Sequence, residues 1–275
     1  MEHAVSNKTL FVTNDFGPRA GGIETFIIGL IERLPKSSII VYTSAQEETA
    51  HYDAQWLSDF GVEVIRDKAK ILLPTPRVSR AVARIVSQRG IKTVAFGAAA
   101  PLGWMSSTLR KAGALRIVAL THGHEVWWAK LWPFSRVISF IGNNVDHLTY
   151  LGDFTKSEIA KALSPNARTR LIKIAPGIDT DHFAPDPTAN DLKRELDLAD
   201  KRVIVSVGRL VHRKGQDTLV EALPLILKEN PDAHLLFVGV GPHLEYIHKR
   251  AIQLDVLSHI SFVGRVQYSE LPRFI

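Results

Sequence analysis

The chain has 275 residues, 45% of them apolar and 23% charged, an ordinary balance for a globular protein that folds around real cores. It has no cysteine, which excludes disulfides and thiolate metal sites, and no apolar run approaches the ~20 residues that a membrane-spanning helix requires. The net charge of +6 favours anionic partners, whether phosphates, lipid head groups or nucleic acid.

The opening MEHAVSNKTL has neither a basic leader nor an apolar core of the secretory kind, so export is not expected. In chain order, residues 9–13, 39–42, 62–65, 93–96 and 117–120 are short β-branched runs that read as buried parallel strands. Residues 22–34 and 77–86 carry apolar side chains at three- and four-residue spacing and read as helices. This βαβ rhythm predicts a doubly wound α/β domain. Residues 176–200 hold three prolines and six aspartates with little apolar periodicity, which marks a hinge. The expected division is a first domain at 1–180, a linker at 181–200 and a second domain at 201–275. In the latter, strands are predicted at 203–207, 235–238 and 260–263, with helices at 215–228 and 243–254. A three-stranded parallel sheet leaves an open edge, so a C-terminal continuation is expected.

Seven segments have residues suited to binding or chemistry. Gly17-Pro18-Arg19-Ala20-Gly21-Gly22-Ile23-Glu24 lies between a strand and a helix start, where backbone amides and the helix dipole suit a diphosphate. A plain tight turn fits it equally, and neither G-x-G-x-x-G nor G-x-x-x-x-G-K-[ST] is present. In the run from Gly208 to Gly215, Arg209, Arg213 and Lys214 set cations beside another helix start, as neutralising a diphosphate leaving group requires; a solvated basic turn is the alternative. Thr121-His122-Gly123-His124-Glu125 ends a strand, where open α/β sheets gather their ligands. A histidine there can bond a sugar hydroxyl or be merely structural, and no metal site is expected from His122, His124 and Glu125. Gly239 and Gly241, and the later Gly264-Arg265-Val266, suit either a nucleotide or a simple turn. Finally, Arg77, Arg80 and Arg84 share one helical face opposite Val78, Val82 and Ile85, a candidate membrane contact at ~1 kcal/mol per charge. Trp127, Trp128, Lys130, Trp132, Phe134 and Arg136 form an aromatic and basic cluster of the same kind; for both, a solvated face or core packing remains the alternative.

The motifs GPRAGGIETF, THGHE, PGIDTDHFAPD, VGRLVHRKGQDTLVEAL, LLFVGVGPHLEYI and ISFVGRV occur in this order, and together they resemble the GT-B glycosyltransferases of family 4 over essentially the whole chain. VTNDFGPRAGGIETF, FGAAAPL and THGHEVWW are most similar to the mannosyltransferases that act on phosphatidylinositol mannosides.

The resemblance implies a GT-B α/β fold of two Rossmann-like doubly wound domains facing a cleft, the first on the acceptor side and the second, incomplete one binding the nucleotide sugar. It implies retaining transfer of a hexose, mannose from GDP-mannose, to a lipid acceptor. Gly21 and Gly22 would lie beside the donor diphosphate, Arg209 and Lys214 would grip it, and His122 would contact the transferred sugar as the catalytic residue. Gly239, Gly264 and Val266 would lie near the nucleotide and Asp15 would face the acceptor inositol. Retention lets the acceptor hydroxyl attack from the face the diphosphate leaves, so no carboxylate pair of the glycosidase type is needed.

No cofactor is implied, since the nucleotide sugar is a co-substrate. The implied partners are the donor, an anionic lipid acceptor and a membrane surface on the cytoplasmic side. Nucleic acid is not among them, because the aromatics are not interleaved with basic residues as stacking platforms require. Two departures stand out: the family's E-x7-E segment is expected after Ile275, and Val240 replaces the aspartate frequent in the G-D-G-P turn. The first keeps open a competing expectation, a non-catalytic module that binds nucleotide or anionic lipid.

Overall fold

Apolar side chains on both faces of the strands decide the architecture. In the first strand Leu10 and Val12 point into one buried cluster and Phe11 into another, so the sheet must be covered on both sides. The computed structural model describes residues 6–19, 21–184 and 189–275. Ala20 of the glycine loop and residues 185–188 of the expected linker lie outside the described residues.

By contacts the chain divides into Met1–Gly177 and Ile178–Ile275. The first unit runs β1 (Ser6–Thr13), α1 (Gly22–Glu32), β2 (Ile39–Thr43), α2 (Thr49–Phe60), β3 (Glu63–Arg66), α3 (Pro76–Gln88), β4 (Ile91–Phe96), α4 (Ser106–Lys111) and β5 (Arg116–Ala119). It continues through α5 (Glu125–Lys130), α6 (Phe134–Asn144), β6 (His147–Tyr150), α7 (Asp153–Ala160), α8 (Pro165–Arg168) and β7 (Leu171–Lys173). The strands form one parallel sheet in the order β3-β2-β1-β4-β5-β6-β7. The order reverses between β1 and β4, where crossovers on opposite faces leave a crevice beyond the carboxyl ends of the strands.

Local chemistry sets the element ends. Thr75 caps α3 by accepting the Val78 N–H, Pro76 occupies the first turn, and Val78, Val82 and Val86 supply the buried stripe. Gly61 closes α2 in the left-handed region at φ +64, with its N–H on the Leu57 carbonyl. Of α2 only Trp56 is buried, so this helix has no apolar stripe for periodicity to reveal.

Arg77 is not a free cation. Its guanidinium forms a two-point bond to the buried carboxylate of Asp67 at 2.6 and 2.9 Å, and the Tyr42 hydroxyl donates to the same carboxylate. The Arg77 pairing, with help from Tyr42 and the Ala69 N–H, holds the Asp67 carboxyl well below the usual carboxylate range despite burial. The expected basic face therefore reduces to Arg80 and Arg84.

Because the folded-state pKa of Asp67 is depressed, its contribution to stability is complete above its unfolded value near ~4. It is lost as pH falls through the folded value. Asp67→Ala strands the buried Tyr42 hydroxyl and is expected to cost about 1–3 kcal/mol in urea melts at pH 7, with the difference from wild type shrinking in strong acid. A pH-independent difference would contradict this role.

The second unit runs α9 (Ala189–Glu195), β8 (Arg202–Val207), α10 (Gln216–Glu229), β9 (Ala233–Val238), α11 (Leu244–Gln253) and β10 (Ile260–Gly264). Its parallel sheet has the order β10-β9-β8, with all six residues of β9 buried. Leu235 and Phe237 face one apolar cluster and Leu236 and Val238 the other. The expected linker at 181–200 is corrected here: it contains α9, Leu192 and Leu198 are buried, and Leu198 packs on Leu236 and Val238. Its dense aspartates mask these isolated anchoring leucines. Among the described residues no helix is long and apolar enough to cross a membrane.

Candidate active site

In the first unit the carboxyl ends of β1, β4 and β5 bring together Asp15, Gly97 and His122. The β1 loop is pinned by reciprocal bonds between the Asn14 amide and the backbone of Leu72, at 3.0 and 2.6 Å. The Asp15 N–H donates to Thr13 Oγ1 at 2.9 Å. Gly97 follows β4, and a Cβ there would sit 2.4 Å from Thr13 Oγ1, so only glycine lets the two strand ends approach.

His122 is held from three sides. Its Nε2 bonds the Gly97 carbonyl, its backbone N–H donates to Glu125 Oε2 at 2.9 Å, and its ring meets Phe26 edge-on at 5.3 Å. A carbonyl only accepts, so Nε2 carries a proton and a neutral ring keeps Nδ1 as its acceptor. Glu125, wholly buried, places its other oxygen 3.2 Å from His124 Nε2. Gly123 between the histidines has φ +94, a left-handed conformation that favours glycine.

The glycine loop differs from a bare anion cradle. Glu24, buried in the first turn of α1, already places a carboxylate at this helix start, and Arg19 Nε donates to it at 2.8 Å. A Cβ on Gly21 would lie 2.3 Å from Glu24 Oε2, whereas Gly22 faces open space. Burial and, after it, the Glu24 carboxylate push the Asp15 carboxyl up, against the opposing pull of His122, Arg19 and His124. Standing beside two histidines, this carboxyl group is placed to hydrogen-bond a polyhydroxylated ligand.

In the second unit the turn after β8 carries Arg209, Arg213 and Lys214, all exposed and without an ion pair among the described residues. Gly208 has φ +145, and Gly215 has φ +71 where the turn enters α10. These cations thus stand beside the start of a 14-residue helix, the arrangement that suits an anion. Gly239 has a packing reason: at φ +143, a Cβ would lie 2.0 Å from the Gly208 carbonyl oxygen. Gly264, at φ +83, faces open space. The Val266 side chain packs beside Leu236 and Val238, which leaves its backbone for any ligand contact.

The aromatic cluster lies on α5, on α6 and between them, in the segment that follows His122. Trp127 and Trp132 are 69% and 75% exposed, Trp128 packs edge-on against Phe134 at 5.0 Å, and Lys130 pairs with Glu158 at 3.2 Å.

Residues 20–182 match the family profile described as Glycosyltransferase Family 4, and residues 189–275 match that of Glycosyl transferases group 1. The chain belongs to glycosyltransferase family 4. The GDP-mannose-dependent alpha-(1-6)-phosphatidylinositol monomannoside mannosyltransferase of Mycolicibacterium smegmatis is 41% identical over 265 residues, covering 96% of this chain and 69% of that protein. The GDP-mannose-dependent monoacylated alpha-(1-6)-phosphatidylinositol monomannoside mannosyltransferase of Corynebacterium glutamicum is 37% identical over 275 residues, covering 98% of this chain and 70% of that protein. Among solved structures, Anabaena Alr3699/HepE in complex with UDP has a TM-score of 0.78 at 16% identity, covering 97% of this chain and 71% of its own; that likeness speaks for the fold alone. The fold of this family 4 glycosyltransferase is GT-B, as the motifs implied.

Sequence reasoning singled out His122 and Asp15 but missed what holds them. Gly97 became visible only with the fold, because β4 and β5 are neighbours in space, whereas Glu125 was named in its motif without its role of accepting the His122 N–H. Glu24 had a local signal, an acid three residues past Gly21 at a helix start.

Proposed function

We propose that this family 4 glycosyltransferase moves a mannosyl group from GDP-mannose to a phosphatidylinositol monomannoside, retaining the anomeric configuration. What carries the reading is that relatives 41% and 37% identical over nearly the whole chain bear that reaction in their names. In the first unit His122 contacts the transferred sugar and Asp15 receives an acceptor hydroxyl, while Gly22 offers open backbone to the donor phosphates. In the second unit Arg209 and Lys214 neutralise the departing diphosphate, and Gly239, Gly264 and the Val266 backbone border the nucleotide. No metal or cofactor takes part in this scheme.

The test is a transfer assay with the gene product at its full encoded length, GDP-mannose, and phosphatidylinositol monomannoside in vesicles. One added hexose per acceptor is expected, and UDP-glucose should not substitute. Each charged bond to the diphosphate supplies ~1.5–3 kcal/mol, so Arg209→Ala and Lys214→Ala should each lower the rate by about 10–100-fold. A variant with full turnover would remove its residue from this role.

The acceptor in those relatives is a lipid, which makes peripheral contact with the cytoplasmic membrane face part of the proposal. Exposed Trp127 and Trp132, together with Arg80 and Arg84, supply the aromatic and cationic groups that interfacial binding uses. Co-sedimentation with anionic vesicles is expected to weaken in Trp132→Ser; unchanged sedimentation would move the contact elsewhere.

A further inference from the structure

We propose that His212, Asp217 and His243 bind one divalent transition-metal ion of the zinc or cobalt type. The three residues come from different elements: His212 from the turn after β8, Asp217 from the first turn of α10, and His243 from the residue before α11. His212 Nδ1 lies 2.9 Å and His243 Nε2 3.3 Å from Asp217 Oδ2, and one donor atom from each residue lies within 4.8 Å of the other two. A tetrahedral ion with bonds of about 2.0–2.2 Å sets its ligands roughly 3.3–3.6 Å apart, so small shifts convert this hydrogen-bonded set into a coordinating one. Two imidazoles and one carboxylate suit zinc or cobalt, whereas magnesium and calcium prefer all-oxygen sites.

The surroundings hold the donors in place. His243 stacks on Tyr246 at 4.7 Å, and the Thr218 N–H donates to the other Asp217 oxygen at 3.0 Å. Asp217 and His243 are mostly enclosed while the His212 side chain is 85% exposed, which gives an ion a way in and a ligand that can close over it. Arg213 and Lys214 on the same turn repel a bare dication; the Asp217 carboxylate and an anionic fourth ligand, such as hydroxide or chloride, offset that. This site departs from the sequence expectation of no metal, because its two histidines lie far apart in the chain. It is also separate from the loop of His122 and His124: among the described residues only His212, Asp217 and His243 converge as a set of three.

The tag-free, metal-stripped chain is titrated with Co2+, read by the visible absorption of tetrahedral cobalt, and Zn2+ is then added in competition. One equivalent of each is expected, with the cobalt band lost as zinc enters. His212→Ala and His243→Ala should each weaken binding by at least about 100-fold, while His51→Ala, in the first unit, should not. His212 is exposed enough that its variant keeps the fold, which far-ultraviolet circular dichroism checks. Absence of a tetrahedral band in the wild type, or wild-type affinity in either variant of the pair, overturns the site and leaves the trio as a hydrogen-bonded strut.

Discussion

Replacing His122 with alanine is expected to lower sugar transfer by about 100- to 1000-fold while leaving the fold in place, the scale on which removing one preorganised polar group acts at a reacting centre. The side chain is half-buried and outside both main apolar clusters, so its loss opens no core cavity. Its bond to Gly97, its backbone bond to Glu125 and the edge of Phe26 fix the ring and leave Nδ1 as the atom available to a ligand. His122→Gln separates two roles, since its amide can still donate to the Gly97 carbonyl but brings no ring nitrogen. If the ring acts on the sugar, glutamine should remain as slow as alanine. If only backbone placement matters, glutamine should restore most of kcat. Near-normal turnover in the alanine variant would remove His122 from the chemistry altogether.

Gly239→Ala is expected to destabilise the second unit by on the order of 3–5 kcal/mol, at the upper end of single-substitution effects. The new Cβ would lie 2.0 Å from the carbonyl oxygen of Gly208, backbone that cannot rotate away, at a φ of +143. Gly264→Ala is the internal comparison. It has a left-handed φ of +83 but open space around it, so only the conformational cost of roughly 1–2 kcal/mol applies. Thermal or urea melts should rank Gly239→Ala well below Gly264→Ala. Equal losses would mean that the close crossing of the two strand ends does not limit this position.

Five strands of the first unit were legible because burial on both faces writes itself as short β-branched runs, as at Ile39–Thr43, where every residue is buried; β6 and β7, only four and three residues long, offered no such run. Helix α2 was not, since one tryptophan carries its burial, and α9 was hidden by its acidic surroundings. Spacing placed Arg77, Arg80 and Arg84 on one face but could not reveal that Asp67 neutralises the first of them. The glycine at 239 was noticed for its turn, while its reason, the approach of Gly208, depends on pairing between β8 and β9. The same holds for Gly97, whose service to His122 exists only once β4 and β5 are side by side.

The pairing of β1 with β4 joins Thr9 to Thr93, so this contact spans roughly 80 residues of chain. At the ~5–20 residues per second of protein synthesis, β1 waits on the order of 4–16 s for that neighbour to be made. Until then Phe11 and Val12 are paired at most with β2 and have one strand edge uncovered. Newly made chains are therefore expected to depend on chaperone protection during this interval, and the crevice that holds His122 matures late in folding.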